Sequence, residues 1–227
     1  MALRAIVFDF DGVIANSEPL HYLAFHDVLG QSGITFPEKE YYDRYLGYDD
    51  VGVFKMVAAD RGLSWTIDRI AGLVQFKAAV LERLEQNTSI LFPGADAAIR
   101  RAAAVVPLGI ASGALGVEIR RVLDREGLRS YFKAIVAAED TPVSKPAADP
   151  YQRAVALLSE AVGGAPLLPW ECVAVEDSSW GLQSAKAAGL RTVAVAHTYA
   201  RAALEADLVI SSIGELDVGM MERLCST

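Results

Sequence analysis

Two acidic pairs stand where apolar runs stop. The first is Asp9 and Asp11 in Phe8-Asp9-Phe10-Asp11-Gly12, directly after Ala5-Ile6-Val7; the second is Glu176 and Asp177, directly after Val173-Ala174-Val175. Between them in the chain lie Ser112-Gly113, at the end of Leu108-Gly109-Ile110-Ala111, and Lys145 in Ser144-Lys145-Pro146. Four carboxylates brought close together repel and raise one another's pKa unless a cation neutralises them. Oxygen donors without a histidine among them favour Mg²⁺ over Zn²⁺.

The remaining residues suit a phosphate. A hydroxyl and backbone N–H groups at a helix N-terminus form an anion cradle, and Ser112-Gly113 leads into a helical pattern from about Gly116 to Arg125. Lys145 is placed to reach the same phosphate and to stabilise charge that develops on transfer. The spacing of Asp9 and Asp11 suits a two-step transfer. Asp9 attacks phosphorus, while Asp11 protonates the leaving oxygen and later takes a proton from water. Each signal has a plain alternative. Asp-x-Asp also makes turns, Ser-Gly also ends strands, and Glu176-Asp177-Ser178 also caps a following helix. Their order along the chain, each at a strand end, selects the chemical reading.

Strands must carry these residues to one rim. Short runs rich in Val, Ile, Ala and Leu recur at Arg4 to Asp9, Pro107 to Ser112, Lys133 to Ala138, Glu171 to Glu176, Arg191 to Ala196 and Asp207 to Ile210, with helical patterns between them. Their near-continuous apolarity predicts strands covered on both faces, in an α/β, doubly wound parallel sheet. Ligands in such sheets bind at the carboxyl ends of strands. From about Glu18 to Asn87 the pattern is helical throughout, and Pro19, Pro37, Gly47 and Gly62 divide it into about four helices, the last from Ile67 to about Leu84. The expected organisation is a core of residues 1–16 and 89–227 with a helical insertion, 17–88, hinged at Asn16-Ser17-Glu18-Pro19 and from Asn87-Thr88-Ser89 to Pro93-Gly94.

Composition narrows the partners. With 29 acidic against 21 basic residues the net charge is −8, and no basic run stands out, which argues against nucleic acid. No apolar run reaches membrane-spanning length and no signal peptide precedes the first strand, so a cytoplasmic protein is expected. Cys172 and Cys225 read as buried or incidental thiols, and Trp65, Trp170 and Trp180 as packing residues.

These segments resemble the haloacid dehalogenase (HAD) superfamily, in its phosphatase and β-phosphoglucomutase-like branch, over essentially the whole chain. The resemblance rests on Asp9-Phe10-Asp11-Gly12-Val13, Ile110-Ala111-Ser112-Gly113, Lys145-Pro146-Ala147-Ala148-Asp149-Pro150 and Val175-Glu176-Asp177-Ser178, with Gly181, Ala185-Lys186-Ala187-Ala188-Gly189 and the entry segment Asn16-Ser17-Glu18-Pro19-Leu20-His21. It implies a HAD-like Rossmannoid core with an inserted α-helical cap that opens and closes. It also implies Asp9 as nucleophile and magnesium ligand, and Asp11 as acid and base with its carbonyl on the metal. Ser112 and Lys145 would hold the phosphoryl group, and Glu176 and Asp177 would complete the Mg²⁺ site.

The presence of Asp11 argues for phosphoryl transfer over dehalogenation. Phosphomutases of this branch grip a second phosphate with basic residues near Tyr45-Leu46-Gly47-Tyr48-Asp49-Asp50, and this segment has no Lys or Arg. The expected activity is hydrolysis of a small phosphorylated metabolite, with sugar phosphates as the named class. A phosphomutase and a non-catalytic phosphometabolite-binding protein are the alternatives. Of the insertion's lysines, Lys39, Lys55 and Lys77, only Lys77 is a candidate for substrate contact, and it also fits a solvated helix face. His21 is the other candidate there, and it fits an ordinary hydrogen-bonded histidine near a hinge equally well.

Overall fold

A computed structural model describes residues 2–46, 48–86 and 89–226. Gly47, and Asn87 and Thr88 of the expected hinge, lie outside the described residues. Residues 1–16 with 90–227 make one compact unit, and residues 17–89 a second.

The larger unit is built on six parallel strands, β1 (Ala5–Phe8), β2 (Leu108–Ala111), β3 (Phe132–Val136), β4 (Cys172–Glu176), β5 (Arg191–Val195) and β6 (Leu208–Ile210), ordered β3-β2-β1-β4-β5-β6. The chain winds outward from β1 through β2 to β3, then returns to place β4 on the free edge of β1. That reversal makes the β1/β4 boundary the switch point where an open parallel sheet binds its ligand. In register, Phe8 pairs with Val175 and with Ile110. Asp9 and Glu176 therefore leave the sheet side by side.

Small residues face one side of the sheet. Ala5, Val7, Cys172 and Ala174 pack with Tyr151, Ala154 and Leu158 of α7 (Asp149–Val162) and with Ala185 of α8 (Ser179–Ala187). Helices settle close to the sheet there because the strands offer short side chains. Helix α5 (Ala95–Ala103), α6 (Gly116–Arg125) and α9 (Val218–Ser226) complete this unit's α-helices among the described residues. Caps set the boundaries: Pro150 stands in the first turn of α7, and Ser178 Oγ accepts the Gly181 N–H of α8 at 3.1 Å.

The smaller unit holds α1 (Glu18–Gln31), α2 (Glu38–Arg44), α3 (Asp50–Asp60) and α4 (Ile67–Glu85) around Phe25, Phe36, Tyr41, Tyr45, Phe54 and Leu73. Thr66 caps α4 by accepting the Arg69 N–H at 3.2 Å. Trp65 packs here against Phe54. The packing expectation does not hold for Trp170 and Trp180, which are 44% and 63% exposed: Trp170 lies in a 3-10 turn with no buried residue, and Trp180 is not among the buried residues Gly181, Leu182, Ser184 and Ala185 of α8. Both cysteines are buried and free. Among the described residues, no helix is long and apolar enough to cross a membrane.

Gly109 of β2 shows how tightly α7 sits. A Cβ there would lie 2.9 Å from Leu158 Cδ1, inside the contact limit. Gly109→Ala should cost about 1–3 kcal/mol of overpacking strain. Leu158→Ala should cost about 2–5 kcal/mol. In urea unfolding the Gly109→Ala penalty should shrink when Leu158→Ala is already present, since the added methyl then enters the space vacated. Strict additivity of the two would contradict this packing.

Candidate active site

The carboxyl ends of β1 and β4 bring together Asp9, Glu176 and Asp177, which are 7%, 0% and 6% exposed and each offer an oxygen within 4.8 Å of the others. Lys145 joins them from the loop before α7. Its Nζ donates to Asp9 Oδ1 at 2.8 Å and to Glu176 Oε1 at 2.6 Å, and lies 5.2 Å from the centre of the Tyr151 ring.

Glu176 is the most heavily bonded of the three. Oε1 accepts Lys145 Nζ and the Tyr151 hydroxyl, the latter at 2.8 Å, while Oε2 accepts the N–H groups of Asp177 and Ser178 and the Ser178 hydroxyl. Two glycines make room for the carboxylates. A Cβ on Gly181 would stand 1.8 Å from Glu176 Oε1, and one on Gly12 would stand 2.0 Å from Asp177 Oδ2. Gly12 also has φ +78°, a conformation that side chains disfavour.

Three carboxylates against one ammonium leave two negative charges in surplus. Burial opposes the charge on Lys145, but Asp9 and Glu176 beside it outweigh burial and hold its pKa above the ordinary lysine value. The surplus falls on the aspartates. Burial pushes Asp9 up to about 7 against the pull of Lys145, with Glu176 and Asp11 adding to the rise. Burial and then Asp9 push Asp177 up to about 7, opposed by a hydrogen bond from Thr198. An all-oxygen site two charges short of neutral fits a hard divalent cation.

Asp11 is half-buried and near enough to act on Asp9 electrostatically, although its carboxylate is not in the three-residue cluster. Ser112 stands at the end of β2, buried, its Oγ accepting the Ala114 N–H at 3.1 Å, and Gly113 beside it is exposed. The helix behind them differs from the expected cradle. The Gly116 N–H that opens α6 is occupied by Glu139, at 3.0 and 3.2 Å to its two oxygens. An internal carboxylate thus takes the charge that this helix end would offer an anion.

His21 and Lys77 belong to the helical unit and pair there with each other, Lys77 Nζ to His21 Nδ1 at 2.8 Å. The solvated-face reading of Lys77 is wrong: its side chain is 1% exposed, bonded to Asp50 Oδ1 at 2.8 Å and set 4.9 Å from the Phe25 ring centre. The reason lies in periodicity. Ile70, Leu73, Lys77, Val80 and Leu81 share the buried face of α4, so Lys77 occupies a core position. Burial, then the charge of Lys77, lowers His21 to about 3, which keeps the ring neutral.

Tyr151, Thr198 and Glu139 escaped the sequence reading. Tyr151 follows Lys145 by six residues, and only the helical start at Asp149-Pro150 hints that it turns back toward Glu176. Thr198 stands on the loop after β5 and Glu139 in a short 3-10 turn after β3, where spacing gives no signal.

The profile of the haloacid dehalogenase-like hydrolases matches residues 6–195. The chain is 31% identical to hexitol phosphatase B of Escherichia coli (strain K12), over 94% of each protein. It is 28% identical to the fructose-1-phosphate phosphatase YqaB of the same organism, over 84% of this chain and 95% of that one. A crystal structure of CbbY from Rhodobacter sphaeroides in complex with phosphate superposes with a TM-score of 0.79 at 27% identity, covering 95% of this chain and 96% of that one. With the α/β fold, the parallel sheet and the strand-end acids in agreement, the chain belongs to the haloacid dehalogenase-like hydrolase family.

Proposed function

We propose that this hydrolase is a Mg²⁺-dependent phosphatase that cleaves phosphate monoesters of small metabolites, sugar or polyol phosphates among them, through an aspartyl-phosphate on Asp9. The observation that carries this reading is Asp9 at the end of β1, held by Lys145 at 2.8 Å within a buried acidic cluster two charges short of neutral. The similarity to two sugar- and hexitol-phosphate phosphatases supports the substrate class.

Asp9, Glu176 and Asp177, with the main-chain carbonyl of Asp11, would hold the cation. Glu176 would contribute chiefly charge, since its oxygens already accept five protein donors. When bound, Mg²⁺ supplies positive potential that lets a phosphate dianion approach a carboxylate. Lys145 and Ser112 hold the phosphoryl oxygens, with the Gly113 amide beside them. An Asp9 oxygen forms the new bond to phosphorus as the ester oxygen leaves, and the protonated Asp11 gives that oxygen its proton. Asp11, now ionised, takes a proton from water as the water oxygen attacks phosphorus. The Asp9–phosphorus bond breaks and inorganic phosphate departs.

Water as the final acceptor is supported by the helical unit, which we read as the cap. The segment Tyr45 to Asp50 has no basic residue, and Lys77 is already neutralised by Asp50. That segment therefore offers no basic side chain of the kind a mutase uses to grip a second phosphate.

Phosphate release from a panel of sugar and polyol phosphates with Mg²⁺ tests the reading. Asp9→Asn should lower turnover by on the order of 10⁴-fold or more. Asp11→Asn should lower it by about 10²–10⁴-fold. Isomerisation without phosphate release, or full activity of Asp9→Asn, would overturn the assignment.

A second prediction concerns pH. In the metal-free chain Asp9 and Asp177 titrate near 7 against an ordinary value of 3.8, so the folded state keeps protons that the unfolded chain has lost between those values. Their contribution to stability is present below about pH 4 and is lost as pH rises through about 7. The Tm of the EDTA-treated chain should fall from about pH 5 to about pH 8, and added Mg²⁺ should raise it more at the higher pH. A Mg²⁺ shift that is larger at the lower pH would contradict the cation site.

A further inference from the structure

His197 lies in none of the motifs above, two residues past the end of β5, yet its ring touches the loop that carries Asp11. Its Nδ1 is 3.0 Å from the Gly12 carbonyl oxygen, 185 positions away in sequence. Its Nε2 is 3.3 Å from the Ile213 backbone nitrogen. One face stacks on Phe92, with ring centres 3.8 Å apart and planes at 20°. The tautomer follows from the partners. A carbonyl only accepts and an N–H only donates, so Nδ1 bears the proton and Nε2 the lone pair. Burial lowers the pKa of this ring, in keeping with the neutral form.

The loop it touches needs bracing. After β1 the chain leaves the sheet, and residues 9–15 are held by turn bonds: Ile14 N–H and Ala15 N–H both donate to the Phe10 carbonyl, and Gly12 N–H donates to the Ala15 carbonyl, each at 2.9 Å. Gly12 has a left-handed φ, and a side chain there would also strike Asp177. Glycine is also the residue most free to leave that conformation. Its N–H is tied within the loop, and among the described residues its carbonyl meets the His197 ring. Phe92, the stacking partner, donates its own N–H to the Ile14 carbonyl at 3.0 Å, so the ring is clamped by the segment it steadies.

We propose that His197 is a positioning residue: by holding the Gly12 carbonyl through Nδ1–H it fixes the peptide next to Asp11 and so the aim of the Asp11 carboxyl at the ester oxygen. The catalytic part of this rests on the reading of Asp11 as general acid and base. No other side chain combines a donor toward Gly12, an acceptor toward Ile213 and a flat face for Phe92. Asparagine keeps the Nδ1-like donor, and phenylalanine keeps only the face.

A misplacement of about 1 Å in a catalytic group costs about 10²-fold in rate. His197→Phe should therefore lower kcat by about 10- to 100-fold and leave KM within about twofold, because Lys145 and Ser112 hold the phosphate independently of this ring. His197→Asn should recover most of the loss. Two measurements do not depend on activity. Nitrogen-15 NMR of the imidazole should show a protonated Nδ1 and a bare Nε2. Hydrogen exchange over residues 10–16 should quicken in His197→Phe and return toward wild type in His197→Asn. A proton on Nε2, or unchanged exchange in His197→Phe, would overturn the proposal. If the wild-type chain hydrolyses no phosphate ester, the phosphatase reading and the catalytic part fall, while tautomer and exchange still decide whether His197 holds the loop.

Discussion

Three buried carboxylates face a single ammonium at the junction of β1 and β4, and the surrounding structure is arranged around that imbalance. Removing charge from water costs several kcal/mol per ion unless partners replace the lost hydration. Glu176 accepts five hydrogen bonds, from Lys145, Tyr151, Asp177 and Ser178. Asp9 and Asp177 obtain less, and they are the groups whose pKa burial raises to about 7. The sheet enforces this closeness. Phe8 and Val175 are paired in register, so the residues that follow them have nowhere to separate.

The helical unit solves the same problem differently. Lys77 is as buried as the acids of the core, yet its charge is paired with Asp50, its second partner, His21, is neutral, and Glu18, close enough to feel it, has its pKa raised by burial. A balanced pair needs no outside ion. Where acid exceeds base the site calls for a cation, and where the two match it presents hydrogen-bonding groups with little net charge. That contrast separates a cluster with surplus acid in the core from a paired lysine in the helical unit.

Much of this was legible before any coordinates. The six strand runs were visible because strands covered on both faces lose the polar alternation that would blur them, and β1 to β6 lie within the runs read from the sequence, apart from Phe132 at the start of β3. Helices α4 and α6 begin at Ile67 and Gly116, where the sequence pattern places their starts. The gathering of Asp9, Lys145, Glu176 and Asp177 followed from strand-end positions. What stayed hidden depended on contacts without a sequence period. Lys77 was misread because a charged residue on a helix was given to solvent, although its spacing from Leu73 and Val80 matched the buried face. Glu139 at the start of α6, Tyr151 on Glu176 and His197 on Gly12 join segments far apart in the chain, and local pattern carries no information about such pairings.

Two of those hidden contacts, Tyr151 on Glu176 and His197 on Gly12, lie at the ends of β4 and β1. Backbone pairing fixes β1 and β4 up to Phe8 and Glu176, and there its authority ends. Beyond that point Asp11 and Gly12 stand on a turn whose left-handed glycine leaves room for Asp177 and carries glycine's conformational freedom. Freedom there would loosen the turn beside Asp9, so side chains from distant elements take over the work of the ladder. Tyr151 and Ser178 hold Glu176, Thr198 holds Asp177, and His197 stacked on Phe92 holds Gly12. Loops after β5 thereby become part of the site although they bring no charge to it. Precision at the end of β1 is supplied by the strands on its flank, which explains why a single strand-end motif is weak evidence of function while a set of them in order is strong.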